Sequence, residues 1–157
     1  MKYYNYYESP IGQLVIVHNN EGITHLYLAD RIQIEDSIFK ETSLIQETKK
    51  QLNEYFTGIR QTFDLPLAPT GTDFQQKVWE TLRTIPCGQT YSYKKLAEKI
   101  NQPKAVRAVG GANNKNPILI LIPCHRVIGA NGKLVGYAAG LEMKKYLLAL
   151  EGISYEY

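Results

Sequence analysis

The chain has 157 residues, of which 44% are hydrophobic and 21% charged, a composition typical of one large or two small globular domains. No apolar run approaches the roughly 20 residues of a membrane-spanning helix, and the amino terminus lacks the apolar segment of a signal peptide. The two cysteines, Cys87 and Cys124, exclude a disulfide framework and fit a reducing compartment. We therefore expect a cytoplasmic protein that does not bind membranes.

The formal charge of +3 is unevenly distributed along the chain. Residues 1–65 contain six Lys and Arg against nine Asp and Glu, whereas residues 66–157 contain twelve against six. Between Lys77 and Lys133 the sequence has ten basic residues and only two acidic ones. Such a segment is typical of a surface that binds a polyanion. A solvated surface without a partner has the same composition, so charge alone leaves both interpretations open.

The first 65 residues predict a small antiparallel sheet covered by one helix. Three segments alternate or run apolar with aromatic and β-branched residues, as strands do, and they are residues 2–7, 12–18 and 23–29. Ser43 and Gln46 resemble a capping box, and apolar residues then recur at helical spacing until Gly58. Residues 62–65 add a fourth predicted strand.

Residues 66–72 are rich in turn-forming residues and lack periodicity, which predicts a linker between domains of residues 1–65 and 73–157. The second domain is predicted to be mostly helical. Thr72 and Gln75 form another capping-box pattern, and Ser92 is placed to cap the next helix.

Two short helices at the centre of this domain have the proportions of a helix-turn-helix. Pro103 is predicted to occupy the first position of the second helix, which runs to Lys115. On that helix Val106 and Val109 are expected to be buried and Arg107 to point outward. Its other face is rich in small residues that let the backbone approach a groove closely, namely Ala105, Ala108, Gly110, Gly111 and Ala112.

Residues 118–122 are five branched apolar residues between two prolines, which predicts a buried extended segment. This segment leads directly to Cys124 and His125. A buried cysteine is most often an inert small hydrophobe, but a rigid segment that delivers a thiol beside an imidazole indicates a nucleophile with its base. Adjacent side chains of an extended chain point apart, so the pair requires a backbone turn at the cysteine or a bridging water.

Glu151 is the candidate to orient the imidazole, because it ends the last predicted helix just before Gly152. A surface carboxylate is the alternative interpretation of any single glutamate. Residues 136–140 are small apart from Tyr137 and suit a loop that lines a pocket. No C-x-x-C or H-x-x-x-H spacing joins the cysteines and histidines, so neither a metal nor a cofactor is predicted.

Several motifs together resemble those of the O6-alkylguanine-DNA alkyltransferases. They are Pro-Cys-His-Arg-Val at 123–127, residues 85–93, residues 104–112 and the pair Asn116-Pro117, in the family's order and spacing. The resemblance extends from about Phe74 through Gly152. It implies an α+β fold, with a small amino-terminal domain of ribonuclease-H-like shape and a mostly helical, winged helix-turn-helix domain that carries the chemistry.

The resemblance also implies a reaction, which is irreversible transfer of an alkyl group from O6-alkylguanine in duplex DNA to Cys124. The substrates would be mainly O6-methylguanine and less O4-methylthymine, with one turnover per molecule. His125 would deprotonate the thiol through a water, and Glu151 would orient His125. Asn116 would brace the active-site turn, and Tyr93 would protonate the leaving guanine.

For DNA binding, Arg107 resembles the family's intercalating arginine, which enters the base stack when the damaged nucleotide is flipped out. Tyr137 and the loop to Gly140 would cover the flipped base. The other residues expected to contact DNA are Tyr93, Lys104, Ala105, Gly110, Gly111, Ala112 and Arg126. The expected partner is double-stranded DNA carrying O6-alkylguanine, bound by a monomer.

Three other functions share part of this pattern. An alkyltransferase-like damage-binding protein has the same fold but replaces the acceptor cysteine, which Cys124 argues against. A cysteine hydrolase would use the adjacent cysteine and histidine on an acyl substrate. A helix-turn-helix DNA-binding protein without catalysis would leave the cysteine segment without a role.

Overall fold

The computed structural model describes residues 1–129, 137 and 139–154. The chain divides into two compact units, one formed by Met1–Thr70 with Pro117–Leu119 and the other by Gly71–Asn116 with Ile120–Tyr157. The first boundary falls inside the stretch 66–72. No pattern in the sequence predicts that residues 117–119 belong to the first unit.

The first unit contains a four-stranded sheet and one long helix. The strands are β1 (Lys2–Ser9), β2 (Gly12–His18), β3 (Ile23–Leu28) and β4 (Ser37–Phe39), and the helix is α1 (Ser43–Phe56). The strand order is β3-β2-β1-β4, with β4 parallel to β1 and the other pairs antiparallel. Residues 14–18 of β2 are all buried, because side chains on both faces of this central strand are covered.

The first three strands and α1 lie where the sequence predicts them, with differences at the ends. The cap of α1 is Thr42 rather than Ser43, and its hydroxyl accepts a hydrogen bond from the Ile45 amide. Residues 62–65 form no strand. Leu67 makes an isolated bridge to Ile23 instead, so the pairing that the sequence suggested occurs a few residues later.

The second unit is mostly helical. Its elements are α2 (Asp73–Leu82), β5 (Tyr91–Ser92), α3 (Tyr93–Lys99), α4 (Val106–Asn114), a 3-10 turn (Cys124–Arg126), β6 (Val127–Ile128) and α5 (Leu141–Leu150). Helices α2, α3 and α4 pack against one another, and β5 pairs in parallel with β6. The predicted capping box of Thr72 and Gln75 starts α2, and the Ser92 hydroxyl caps α3.

The second helix of the helix-turn-helix begins later than predicted. Pro103 lies in the turn before it, which the Ala105 amide closes by donating to the Gln102 carbonyl, and α4 starts at Val106. Val109 is fully buried as expected, whereas Val106 is 37% exposed at the first position of the helix. No helix in the described part of the chain is long and apolar enough to cross a membrane.

Candidate active site

The segment before the cysteine is buried as predicted but is not extended. Residues 118–122 are all buried, yet the only ladder contact there is an isolated bridge from Ile118 to Leu26. The following residues turn, and Ile120 adopts a φ of 71°, in the left-handed region that β-branched residues avoid. A conformation of this kind costs on the order of 1–3 kcal/mol and persists only where surrounding contacts impose it.

The backbone turns at Cys124, which is one of the two conditions that the sequence set for the thiol and imidazole to cooperate. Pro123 has φ −80° and ψ 64°, the geometry of an inverse γ-turn, and the Cys124 amide donates to the Ile122 carbonyl at 2.8 Å. Asn116 Nδ2 donates to that same carbonyl at 2.7 Å. The Asn116 side chain therefore fastens the turn that presents the cysteine.

Glu151 binds both residues that follow the cysteine. Its Oε2 accepts a hydrogen bond from His125 Nε2 at 2.7 Å, while its Oε1 accepts from Arg126 Nε at 2.7 Å. The Glu151 side chain is 1% exposed and that of His125 is fully buried. Gly152, with φ 91°, supplies the left-handed residue that ends α5 beside this carboxylate.

Arg126, which is expected to contact DNA, is buried beside Glu151 in the structure. Arg126 is 6% exposed, and its guanidinium also donates to the Ile85 carbonyl at 2.7 Å and to Glu151 Oε2 at 3.1 Å. Three of the five N–H donors of this guanidinium are therefore directed at a buried carboxylate and a carbonyl rather than at solvent. The motif places this arginine where it neutralises Glu151.

The electrostatics of this cluster leave His125 neutral and Glu151 charged. Burial would raise the pKa of Glu151, but the hydrogen bond from His125 and the hydrogen bonds and charge of Arg126 lower it to about 2. Burial lowers the pKa of His125 below its usual value, against the opposing effect of Glu151. Because a carboxylate only accepts hydrogen bonds, Nε2 carries the proton of the neutral ring. Nδ1 has no hydrogen-bond partner among the described residues and is the basic nitrogen.

The Cys124 thiol is protonated at rest. It is 3% exposed, and burial raises its pKa, although hydrogen bonds from Asn116 and Tyr137 and the charge of Lys144 lower it in part. Nucleophilic attack therefore needs a base to take the proton as the reaction proceeds. Cys87 is half-buried, and burial, followed by the charge of Glu151, raises its pKa as well.

Lys144 is a residue of this site that sequence reasoning missed. It is fully buried on α5, its Nζ donates to the Val127 carbonyl at 2.6 Å, and burial lowers its pKa to about 8. The signal lay in helical spacing, because Lys144 precedes Leu147 and Leu148 by three and four positions, within the apolar stripe of the helix. A lysine in such a stripe indicates a buried charge with a defined partner.

The residues expected to face DNA divide into exposed and buried ones. Lys104, Arg107 and Gly111 are exposed, and Ala105 and Gly110 are partly exposed. Ala112 is buried, and its carbonyl accepts a hydrogen bond from the Trp79 indole at 2.9 Å. Ala112 therefore lies in the packing between α2 and α4, and its expected contact with DNA stays a prediction.

Two tyrosines expected at the base-binding pocket also belong to this unit. Tyr93 begins α3 and is half-buried, and it is a neighbour of α4, because a Cβ added to Gly110 would lie 3.7 Å from its ring, an ordinary van der Waals distance. Tyr137 is buried. Residues 136 and 138 of the expected lid lie outside the described residues. Within the described part of the chain, no group of three or more His, Cys, Asp or Glu residues is arranged to hold a metal.

Comparison with known proteins identifies the family. Residues 2–69 match the family model for the ribonuclease-like domain of 6-O-methylguanine DNA methyltransferase, and residues 73–153 match the model for the DNA-binding domain. The chain belongs to the 6-O-methylguanine DNA methyltransferase family. The resemblance inferred from the motifs is thereby confirmed, together with the α+β fold of a ribonuclease-like domain and a DNA-binding domain.

Relatives in this methyltransferase family are similar over almost their whole length. A methylated-DNA–protein-cysteine methyltransferase of Methanosarcina acetivorans is 48% identical, over 96% of this chain and 98% of the relative. A constitutive one from Bacillus subtilis is 47% identical over 99% of both. The structure of Mycobacterium tuberculosis OGT in complex with DNA superimposes with a TM-score of 0.90 at 44% identity, covering 95% of this chain and 92% of that one.

Proposed function

We propose that this chain is a methylated-DNA–protein-cysteine methyltransferase that repairs O6-alkylguanine in duplex DNA by moving the alkyl group to Cys124. The observation that carries the assignment of residues is the arrangement at the 3-10 turn. A buried cysteine is followed by a neutral histidine whose Nε2 is held by Glu151 and whose Nδ1 has no partner among the described residues. This is the geometry of a nucleophile, a base and an orienting carboxylate.

The reaction is an in-line displacement at the alkyl carbon. His125 Nδ1 takes the thiol proton through a water, and the Cys124 sulfur forms a bond to the carbon as the bond from carbon to O6 breaks. Glu151 stabilises the imidazolium that forms, and the ammonium of Lys144 favours the thiolate, since its charge lowers the Cys124 pKa.

The leaving guanine receives its proton from Tyr93 at a ring nitrogen, and the tyrosinate recovers a proton through solvent as the His125 imidazolium loses the one taken from the thiol. Burial, followed by the charge of Cys124, raises the pKa of the Tyr93 phenol, so the group remains protonated and can donate. The products are a cysteine thioether and an unmodified guanine. Because a thioether is a poor leaving group, each molecule reacts once.

A base in a duplex cannot present its O6 substituent to a buried thiol, so the damaged nucleotide must be flipped out at a cost of a few kcal/mol. The exposed Arg107 on α4 is the side chain that we assign to the place the base vacates. An added Cβ on Gly111 would meet no protein atom within 4 Å, so this position leaves room for the sugar-phosphate backbone that borders a minor groove. Contacts from Lys104 to phosphates add affinity without sequence preference.

We place this chemistry in a domain of residues 73–157, joined by a linker to residues 1–65. In support, Tyr93, Asn116, Cys124, His125 and Glu151 all belong to the second compact unit. We also propose that the protein acts as a monomer in the cytoplasm, where a reducing environment keeps its two free cysteines available. The preferred substrate is O6-methylguanine, followed by O4-methylthymine.

The test is incubation of the protein with duplex DNA that carries O6-methylguanine with a radiolabelled methyl group. Label should appear on the wild-type protein and on the Cys87→Ala variant, but not on Cys124→Ala. The two variants remove the two thiols of the chain one at a time, so each controls for the other. Absence of label on the wild type, or transfer that survives Cys124→Ala, would refute the proposal.

A further inference from the structure

The connection from β3 to β4 runs between opposite edges of the four-stranded sheet. The strand order is β3-β2-β1-β4, so residues 29–36 must cross the sheet to reach β4. Helix α1 covers one face, where the Tyr7 hydroxyl donates to Asn53 Oδ1. Side chains alternate along β1, so Lys2 lies on the opposite face from Tyr7. The connection and Lys2 meet on that second face, because residues of both line one cavity.

This cavity has a volume of about 190 Å³ and lies between the sheet and the crossing connection. Two register pairs border it from the sheet, Lys2 with Ser37 and Val17 with His25, and the members of such a pair share a face. The connection borders it with residues 32–35, which are Ile-Gln-Ile-Glu. Pockets for drug-sized ligands measure roughly 300 Å³ or more, so this volume suits one small metabolite.

His25, which lines the cavity, has one ring nitrogen that can accept a hydrogen bond. Its Nδ1 lies 2.9 Å from the Thr24 hydroxyl oxygen, and that hydroxyl donates to the Val17 carbonyl. The hydroxyl hydrogen is thereby used, so Nδ1 is the donor to Thr24. Burial, followed by the charge of Lys2, lowers the His25 pKa, so the ring is neutral at physiological pH. Nε2 therefore carries a lone pair, and it makes no hydrogen bond to the described residues.

Lys2 and Glu35 border the cavity with opposite charges. Both are exposed, and in the described part of the chain neither forms an ion pair with the other or with a third residue. The Ser37 hydroxyl donates to the Glu35 backbone carbonyl at 2.9 Å, which leaves the hydroxyl oxygen able to accept. The cavity therefore combines one cationic donor with three accepting groups, the Glu35 carboxylate, His25 Nε2 and Ser37 Oγ.

These groups complement the two charged ends of an α-amino acid. A primary ammonium has three N–H donors, which equals the number of accepting groups, and a carboxylate complements the Lys2 ammonium. The side chains of Val17, Ile32 and Ile34 add apolar surface for the rest of the ligand. A simple anion would be repelled by Glu35, and a simple cation by Lys2, so a molecule that carries both charges fits best.

We propose that this cavity binds a free α-amino acid with an apolar side chain. The ammonium of the ligand contacts Glu35 and His25, and its carboxylate contacts Lys2. The lining residues all belong to the first compact unit, Met1–Thr70 with Pro117–Leu119, whereas Cys124 belongs to the second. The inference is therefore independent of alkyl transfer.

The experiment titrates the isotope-labelled full chain with three molecules that share one carbon skeleton. Leucine carries both charged groups, isoamylamine lacks the carboxylate, and isocaproate lacks the ammonium. NMR spectra follow the backbone amides of residues 32–35 and the ring of His25. Leucine should shift these signals saturably and bind roughly tenfold more tightly than either analogue, as expected for loss of one charge-assisted hydrogen bond.

Two variants assign the charged groups of the ligand to their partners. Glu35→Gln should remove the advantage of leucine over isocaproate, and Lys2→Met should remove its advantage over isoamylamine. The matched controls are Glu47→Gln and Lys50→Met, which change exposed residues of α1 on the other face of the sheet and should bind leucine as the wild type does. No saturable shift at millimolar leucine, equal affinity for the three molecules, or unchanged affinities in Glu35→Gln and Lys2→Met would overturn the inference.

Discussion

Glu151 Oε2 lies 2.7 Å from His125 Nε2, and this hydrogen bond determines which nitrogen of the imidazole can act as a base. With Nε2 protonated, Nδ1 is left to accept a proton. The same carboxylate also binds Arg126, whose permanent charge helps to keep Glu151 ionised while His125 stays neutral. In the proposed mechanism one glutamate therefore serves both the reaction and the folded structure, and the two roles can be separated by experiment.

The first prediction concerns catalysis by His125 and Glu151. Glu151→Gln should lower the rate of methyl transfer by about 100-fold at neutral pH, because the imidazolium that forms is no longer stabilised. Glu151 raises the His125 pKa, so its loss should also move the acid limb of the rate profile to lower pH. Single-turnover rates across the pH range measure both effects. Glu142→Gln, which changes an exposed glutamate in α5, the helix that ends just before Glu151, should change neither.

The second prediction concerns stability at low pH. The Glu151 pKa is about 2 in the folded protein against 4.5 ordinarily, so the carboxylate stabilises the fold fully above pH 4.5. That contribution, about 3 kcal/mol, is lost as the pH falls from 4.5 towards 2. Urea unfolding of the wild type should show this loss. In the Glu151→Gln variant the free energy of unfolding should depend less on pH over the same range. Parallel curves for the two proteins would contradict the assignment.

The third prediction separates stability from DNA binding at Arg126. Because Arg126 neutralises a buried carboxylate, Arg126→Gln should lower the free energy of unfolding by about 3–5 kcal/mol. The folded fraction should keep the affinity of the wild type for undamaged duplex DNA, and its salt dependence should not change. If the variant instead binds DNA with a reduced salt dependence and keeps its stability, Arg126 contacts DNA and does not stabilise the fold.

The fourth prediction concerns Arg107, which is exposed on α4. Arg107→Ala should slow repair of O6-methylguanine in duplex DNA far more than reaction with the free base, O6-benzylguanine, because only the duplex requires a side chain to fill the vacated stack. Arg107→Lys keeps the charge and controls for loss of phosphate attraction. Equal losses on both substrates would contradict the intercalating role.

The sequence predicts local features of this fold well, since they depend on nearby residues. The strand Gly12–His18 and the capping box of Thr72 and Gln75 occur where the pattern places them, because alternation and capping are local chemistry. The extended conformation predicted for residues 118–122 is wrong. Five branched residues favour a strand, but contacts distant in sequence bury them in a turn with Ile120 in the left-handed region.

The candidate site likewise contains residues that the sequence predicts and contacts that it does not predict. Motif order indicates Cys124 and His125, and the end of the last helix indicates Glu151. Burial of Arg126 was not predicted, because Glu151 was assigned to His125 alone, whereas this carboxylate also binds Arg126.

The central claim is that Cys124, and not Cys87, accepts the alkyl group once per molecule. Mass spectrometry of the digested protein, after reaction with excess duplex carrying O6-methylguanine, measures this directly. The account predicts one added methyl group per molecule, located on the peptide that contains Cys124, with the Cys87 peptide unmodified. A methyl group on Cys87, or no modification of either peptide while the lesion disappears from the DNA, would contradict it.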